Sequence, residues 1–301
     1  MTLENKPSTH TRTFTASSGE PSPLGPSVKA TNSELAEHSW NFSVFAPDAE
    51  LLTLCLFCAD TEEPISELPF VGRTGDCWHM QVEGIPDGTL YLLKADGAYA
   101  PEQGLTFSNV HYLIDPYAKA LNRALVFNER LYASGSHFML AKAVLSQSSF
   151  QWDGVTKPVV PREKTIIYEA HVKGMTALHP EVPMEQRGTY LGMAHPSVVK
   201  HLLDLGITTL QLLPVASFMS EPRLEKLHLT NYWGYNPICF MAPEPRYQLV
   251  DAVAEFKQLV KAYHQAGIEV IPDVVVNHTA EADCYNLSYL GLANRHHYLF
   301  E

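Results

Sequence analysis

The sequence predicts a multidomain β plus α/β chain: an N-terminal antiparallel β-sandwich followed by the first three βα units of a TIM-type (β/α)8 barrel, left incomplete. Three observations carry this expectation. Short β-branched and aromatic runs punctuated by turn residues fill the first third of the chain. Later, apolar strands alternate with amphipathic helices, the signature of parallel βαβ units. Polar clusters then follow each of those strands, where a barrel places its functional groups.

The elements follow in order. Residues 1–20 are rich in Ser, Thr and Pro and read as a disordered tail. They carry neither a cationic start before an apolar block nor a cleavage pattern, so secretion is not signalled. Over residues 21–117 the runs "WNFSVFAP", "ELLTLCLFC", "CWHMQVEG" and "GTLYLLKADG" are broken by "PD", "TGD", "IPDG" and "ADG", which predicts the sandwich. Residues 118–161, with "SGS" and "SQSSFQW", read as a linker region. From 162 to 301 the chain changes character. "TIIYEAHV" is a strand, "HPSVVKHLLDLG" a helix stopped at Gly206, and "ITTLQLLPV" a second strand. "DAVAEFKQLVKAYHQAG" repeats the helical spacing, with Val253, Phe256, Val260 and Tyr263 on one face and a stop at Gly267. "IEVIPDVVVNH" is the third strand, and its valine run reads as buried on both faces.

An open doubly wound sheet shares this alternation. It would carry a glycine-rich phosphate loop after its first strand. Here "EAHVKGMTALHPEV" stands in that place, without G-x-G-x-x-G. The clusters "EAHVKG", "NYWGYN" and "NHTAE" after successive strands favour the barrel instead.

Composition narrows the function classes. Of 301 residues 46% are hydrophobic, enough for a sizeable core, while 21 Lys and Arg face 33 Asp and Glu for a formal charge of −12. That excess of negative charge repels phosphate backbones and anionic lipid, so nucleic acid and membrane surfaces are not expected partners. A neutral ligand such as a sugar is compatible with it. No apolar run approaches the roughly 20 residues of a membrane helix. The five cysteines are odd in number and scattered, which fits reduced thiols and a cytoplasmic location. Cys55 and Cys58 form a C-x-x-C inside a strand-like run, and core thiols are the simpler reading.

Four segments together, "YEAHVKGMT", "LLPVASFMSEPRL", "NYWGYNP" and "DVVVNHTAE", resemble the glycogen-debranching and isoamylase-type members of the alpha-amylase superfamily, glycoside hydrolase family thirteen. The earlier "PLGPS", "TGDCWH", "APEQG" and "LIDPYAKAL" resemble the carbohydrate-binding sandwich of family forty-eight that such enzymes carry. The likeness covers nearly all the chain after about Gly19. It implies an α-glucan partner, glycogen or limit dextrin, and hydrolysis of α-1,6-glucosidic branch linkages. It implies site roles as well. His278 would hydrogen-bond a hydroxyl of the glucose at the scissile bond, and Tyr235 would form an aromatic platform beneath that sugar, with Trp233 a further substrate contact. Asp273 would be a buried positioning group paired with an Arg on the following strand, and Asn277 would brace the loop. A pyranose has an apolar face that stacks on a ring and a rim of hydroxyls that needs placed donors. Asn277 is a calcium ligand in some relatives, yet that ion takes about six to eight oxygens and the sequence points to one, so no cofactor is expected.

Each assignment has a plainer counterpart. A His ending a strand is often a capping group, and Trp233 and Tyr235 would serve equally as core aromatics. The His296–His297 pair fits a solvated loop, and Trp78 fits core or interdomain packing. A metal-dependent hydrolase built on His278, Asp283 and the His296–His297 pair lacks a compact ligand spacing such as H-E-x-x-H.

Retaining glycosidases need a nucleophile and a general acid roughly 5 Å apart. In the family these lie beyond the third strand, and neither Glu169 nor Glu281 matches either position. No catalytic residue is therefore assigned within these residues, and the chain alone is expected to be inactive, a piece whose first and third strands leave edges open to water. The alternative is a non-catalytic glycan-binding or scaffolding half that pairs with a separately encoded C-terminal half. A second departure from the family is local: only "QLV" separates "FMAPEPRY" from the helix at Asp251, where relatives carry a longer loop.

Overall fold

The computed structural model describes residues 14–32, 37–59, 62–132, 135–147, 149–281 and 291–299. The strands are β1 (Thr15–Ser17), β2 (Gly25–Asn32), β3 (Glu37–Phe45), β4 (Leu51–Phe57), β5 (Ser66–Pro69), β6 (Gly72–Thr74), β7 (Cys77–Pro86), β8 (Leu90–Ala100) and β9 (Leu105–Leu113), then β10 (Ala143–Val144), β11 (Ile167–Ala170), β12 (Thr209–Leu212), β13 (Ala216–Phe218), β14 (Pro237–Pro243) and β15 (Glu269–Pro272). The helices are α1 (Val172–Thr176), α2 (Tyr190–Met193), α3 (Pro196–Asp204), α4 (Pro222–Lys226), α5 (Ala252–Gln265) and α6 (Asn294–His297).

Two antiparallel sheets form the N-terminal part. One runs β1-β7-β3-β2 with β6 also on β7, the other β10-β8-β4-β5 with β9 also on β8. Their facing side chains, including Phe42, Leu52, Leu54, Leu56, Met80, Ile85 and Leu92, are fully buried. Alternating apolar residues from both sheets thus meet in one core, as a sandwich requires. The tail expected over 1–20 is corrected at its end. Phe14 is buried and β1 pairs with β7, because one aromatic anchor and three extended residues suffice to continue that sheet. Residues 1–13 lie outside the described residues.

The segment expected as a linker over 118–161 joins the same core in its first part. Ala118, Leu121, Leu125, Leu131, Leu140, Ala141 and Leu145 are buried there, and β10 pairs with β8. Its apolar residues lack a clean period, so the turns that fold them back were not readable. Cys55 is buried as a core thiol, but Cys58 at the end of the same run is exposed, and Cys284 lies outside the described residues.

After β10 the chain builds a parallel three-stranded sheet, β11-β12-β15, in which Leu210 lies between Tyr168 and Val270. Helix α5 covers one face. Leu259 and Tyr263 are buried along it, with Phe256 and Val260 half-buried beside them, while Val253 stays outside that stripe. Gly206 and Gly267 follow α3 and α5 with φ of 77° and 78°, left-handed stops that end each helix before the next strand. The short "QLV" turn closes onto the helix itself: the buried Glu255 carboxylate accepts the N–H groups of Leu249, Val250 and Asp251.

The expected third strand needs correction. It ends at Pro272, and Asp273 N–H to the carbonyl of Leu212 is its last rung, at 2.8 Å. Beyond it Val274 and Val276 are 55% and 81% exposed while Val275 is buried, so the valine run is not covered on both faces. The reason lies in the neighbours: β12 turns away after Leu212, and helices cover a single face of the sheet. Ile167 and Ile271 are exposed on the uncovered face.

The sandwich and the parallel layer are locked together through polar groups. On the sandwich side of this seam, buried Asp115 accepts Tyr91 O–H at 2.7 Å and Tyr117 N–H at 2.8 Å. Cys239 of β14 places its Sγ 3.3 Å from the carbonyl of Ala118. Arg246 reaches the carbonyls of Leu125 and Phe218 at 3.0 and 3.3 Å, its guanidinium stacked over the Phe218 ring. Helix α6 adds a contact: His296 Nε2 lies 2.9 Å from Asp48 Oδ2, Arg295 lies 3.3 Å from the same oxygen, and Phe45 meets the rings of His296 and His297 edge-on. The histidine pair is thus docked on the sandwich, not a solvated loop. Trp78 donates to the Ala46 carbonyl and packs under Arg73, a structural role. Among the described residues no helix is long and apolar enough to cross a membrane.

Burial pushes the Asp115 carboxyl up to about 6. The folded protein holds that proton through the range where the unfolded chain releases it, so the contribution of Asp115 to stability is greatest below the ordinary carboxylate range and is lost as pH rises to about 6. Urea unfolding across pH 4 to 7 will show this loss, on the order of 2 kcal/mol. Asp115→Asn, which keeps the acceptor without the charge, will flatten it.

Candidate functional site

The C-terminal ends of β11, β12 and β15 lie at one rim of the parallel sheet, and the site assembles there. His171 follows β11, residues 231–236 lie in the connection after β12, and Asp273 follows β15. His171 is the anchor. Its Nδ1 accepts Gly174 N–H at 3.0 Å, so Nε2 carries the proton and donates to the carbonyl of Tyr232 at 2.5 Å. The Tyr232 ring stacks on the imidazole with centroids 4.1 Å apart and an angle of 10°, and Tyr247 Oη lies 3.2 Å from Nε2. Burial lowers the His171 pKa, which keeps the ring neutral and this tautomer in place.

The turn that follows is set by Asn231 and Gly234. Asn231 Oδ1 accepts Gly234 N–H at 2.8 Å, and Asn231 Nδ2 donates to the Glu221 carboxylate. Gly234 has φ of 85°, and a Cβ there would stand 3.0 Å from the carbonyl of Pro214. The position therefore requires glycine twice, by conformation and by space.

Tyr235 leaves this turn with its phenol directed at β15. Its O–H donates to Asp273 Oδ2 at 2.5 Å, and that hydrogen bond, then burial and nearby negative charge, pushes the phenol up to about 12. His278 returns to the same loop: Nε2 donates to the carbonyl of Tyr235 at 2.8 Å, and Nδ1 accepts from Asn277 Nδ2 at 3.0 Å. Trp233 meets Tyr235 edge-on at 6.2 Å and is 63% exposed. All five residues singled out from the sequence, Trp233, Tyr235, Asp273, Asn277 and His278, thus form one connected cluster. Two of the expected details differ. Asp273 is half-buried, where a buried group had been expected, and it accepts the Tyr235 phenol O–H. Both His278 nitrogens are engaged within the protein, so a ligand hydroxyl would have to exchange with the Asn277 amide.

A groove of about 380 Å³ opens beside the cluster, lined by Asn277, His278, Thr279 and Tyr298 with Tyr117, Phe240, Val274 and Val276 among its apolar walls. Glu281 faces away from a reactive role: it is buried and accepts Tyr298 O–H at 2.7 Å. Glu169 is exposed on the uncovered sheet face and accepts from Gln211. The described residues hold no group of three or more His, Cys, Asp or Glu side chains suited to a metal. Asn277 alone is short of the about six to eight oxygens a calcium ion takes, so the residues do not fit that ion. Asp283 lies outside the described residues. His171, Tyr232 and Tyr247 were not singled out from the sequence. The signal available was the "EAHVKG" cluster ending a strand, which marks a rim position without naming its partner.

Residues 23–118 match the family model of carbohydrate-binding module 48, the isoamylase N-terminal domain. The sandwich is thus the part of the chain that resembles this module. The similarity extends past the module: a glycogen debranching enzyme of Yersinia enterocolitica is 39% identical over 94% of this chain and 44% of its own length. One of Enterobacter is 42% identical over 93% of this chain and 43% of its own length. The chain therefore spans less than half of these relatives. Among solved structures, a pullulanase from Paenibacillus barengoltzii in complex with maltohexaose and alpha-cyclodextrin shares the fold with a TM-score of 0.69 at 23% identity, over 91% of this chain and 41% of that one. The catalytic module of the glycogen-degrading pneumococcal virulence factor SpuA does so with a TM-score of 0.69 at 24% identity, over 88% and 38%.

Asp273→Ala will return the Tyr235 phenol from about 12 toward the ordinary value of about 10, read in an ultraviolet or tyrosine-ring NMR titration. In the parent chain the folded state keeps this proton longer than the unfolded state, so stability falls between about pH 10 and 12, and the variant will lack that fall. Gly234→Ala will destabilise the chain by about 1–3 kcal/mol in urea unfolding, from backbone strain and the contact with Pro214.

Proposed function

We propose that this chain supplies the glucan-binding half of a debranching-type glycoside hydrolase, a family whose activity is hydrolysis of α-1,6-glucosidic branch linkages in glycogen or limit dextrin. The observation that carries the reading is the Tyr235–Asp273–His278 cluster at the C-terminal rim of a parallel sheet. The three parallel strands are, on this reading, the first three of an eight-stranded barrel, whose functional groups gather at that rim. The glycogen debranching enzymes at about 40% identity support it, as does the fold shared with pullulanases.

Each residue has a role consistent with its contacts. The exposed Trp233 ring and the Tyr235 phenol offer apolar faces for a pyranose. Asp273 orients the phenol by accepting its proton, and Asn277 holds His278 in the tautomer that fixes the loop. A glucose hydroxyl would take the place of the Asn277 amide at His278 Nδ1. Among the described residues no pair of carboxyl groups fits nucleophile and general acid: Glu281 is tied to Tyr298, and Glu169 matches neither position of the family. The chain alone is therefore a binder and not a catalyst, and a cytoplasmic location fits its reduced thiols. A second reading, a scaffolding half completed by a separately encoded C-terminal half, is favoured by the uncovered sheet face with exposed Ile167 and Ile271.

Incubation with branched limit dextrin will give no reducing ends above a buffer blank, whereas the chain will be retarded on immobilised glycogen. Tyr235→Ala will weaken that retention by about 1 kcal/mol, roughly fivefold. Turnover by the parent chain would sink the proposal that it lacks its acids, and retention untouched by Tyr235→Ala would move binding to the module.

A further inference from the structure

Gly174 lies inside α1, where glycine is disfavoured relative to alanine because it gives up more backbone freedom. Space explains its presence. A Cβ at this position would collide with Oη of Tyr232, whereas its next neighbour, the Cβ of His171, stands at an ordinary 3.5 Å. The Tyr232 ring therefore lies across the start of α1, its plane on the His171 imidazole and its hydroxyl over the Gly174 backbone.

Tyr232 is nevertheless 48% exposed, so apolar burial alone does not fix it. Its hold is directional: the stack on His171, the bond from Nε2 to its carbonyl, and the clearance above Gly174. The imidazole is itself held, with Gly174 N–H on Nδ1 and the Tyr247 hydroxyl beside Nε2. A rigid ring thus presents one flat face and one donor to a single residue of the loop. The next residue in the chain is Trp233, open to solvent and edge-on to Tyr235. Any displacement of Tyr232 is passed through one peptide bond to Trp233, and rings already held in place lose less freedom when a ligand settles on them.

We propose that His171 and Gly174 are positioning residues for the Trp233–Tyr235 loop: together they seat Tyr232, and the seated Tyr232 sets the rings on which an α-glucan stacks. Neither residue touches the ligand, and each acts through Tyr232. The seating of the loop stands on its own contacts, while its service to a glucan rests on the reading of Tyr235 given above.

Gly174→Ala in the whole chain separates position from stability, since it favours the helix and meets only the far end of one side chain. Its melting temperature is expected to be unchanged or higher. The Trp233 indole N–H resonance, assigned by its loss in Trp233→Phe, is expected to shift, and retention on immobilised glycogen to fall roughly threefold. Tyr232→Ala, at a side chain open to solvent, is expected to weaken retention similarly. His171→Gln, which keeps a donor for the Tyr232 carbonyl, is expected to retain more binding than His171→Ala. Two results would overturn the positioning role: a Trp233 resonance unmoved by Gly174→Ala, or retention unchanged in Gly174→Ala and Tyr232→Ala while Tyr235→Ala weakens it. A shifted resonance with retention indifferent to Tyr235→Ala as well would remove the glucan reading and leave the seat of Tyr232 standing.

Discussion

The hydrogen bond from the Tyr235 phenol to Asp273 is the contact on which the rim of the parallel sheet depends. It joins a loop to a strand end 38 residues away, and His278 repeats the link to the same loop from 43 residues away. These two bonds add to the holds on residues 231–236 by His171 and Asn231 at the start and by Asn236, which exchanges hydrogen bonds with Met219, at the end. With them, the aromatic rings of Trp233 and Tyr235 stand on a backbone fixed at both ends, which lowers the entropy lost when a ligand settles on them.

The same economy recurs where the layers meet. Asp115, Glu244 and Glu255 are buried carboxylates, and each gathers donors from its surroundings. Glu244 takes the N–H groups of Phe218 and Arg246 and lies 3.6 Å from the Arg246 guanidinium. A buried carboxylate is tolerated only when its oxygens are occupied, so Asp115 and Glu244 mark places where segments distant in sequence converge, while Glu255 fixes the local turn into α5. The route of the chain between the module and the parallel layer is thereby set by polar groups as much as by apolar burial.

These local obligations explain what the sequence disclosed and what it withheld. The helices α3 and α5 were legible because period and stop signal agree, apolar residues ending at Gly206 and Gly267. The main sandwich strands were legible through their turns. The five rim residues were found because polar side chains ended apolar runs and their segments resembled a known family. Three things were hidden. Residues 118–145 carry apolar side chains without a period, so their place in the module's core depends on turns that composition does not encode. The strand boundary at Pro272 depends on where β12 leaves the sheet, a property of the neighbour and not of the valines. The His171–Tyr232 stack joins residues 61 apart through a carbonyl, which no side-chain motif records.

Cys239 carries a consequence of its own. Its thiol is fully buried at the seam between β14 and the module, beside the carbonyl of Ala118, and burial pushes it up to about 12. The sulfur is inert toward alkylating reagents while the seam is closed, since neither thiolate nor access is available. Labelling at this one atom therefore clocks how often the two layers part, giving the seam an intrinsic reporter that needs no added probe.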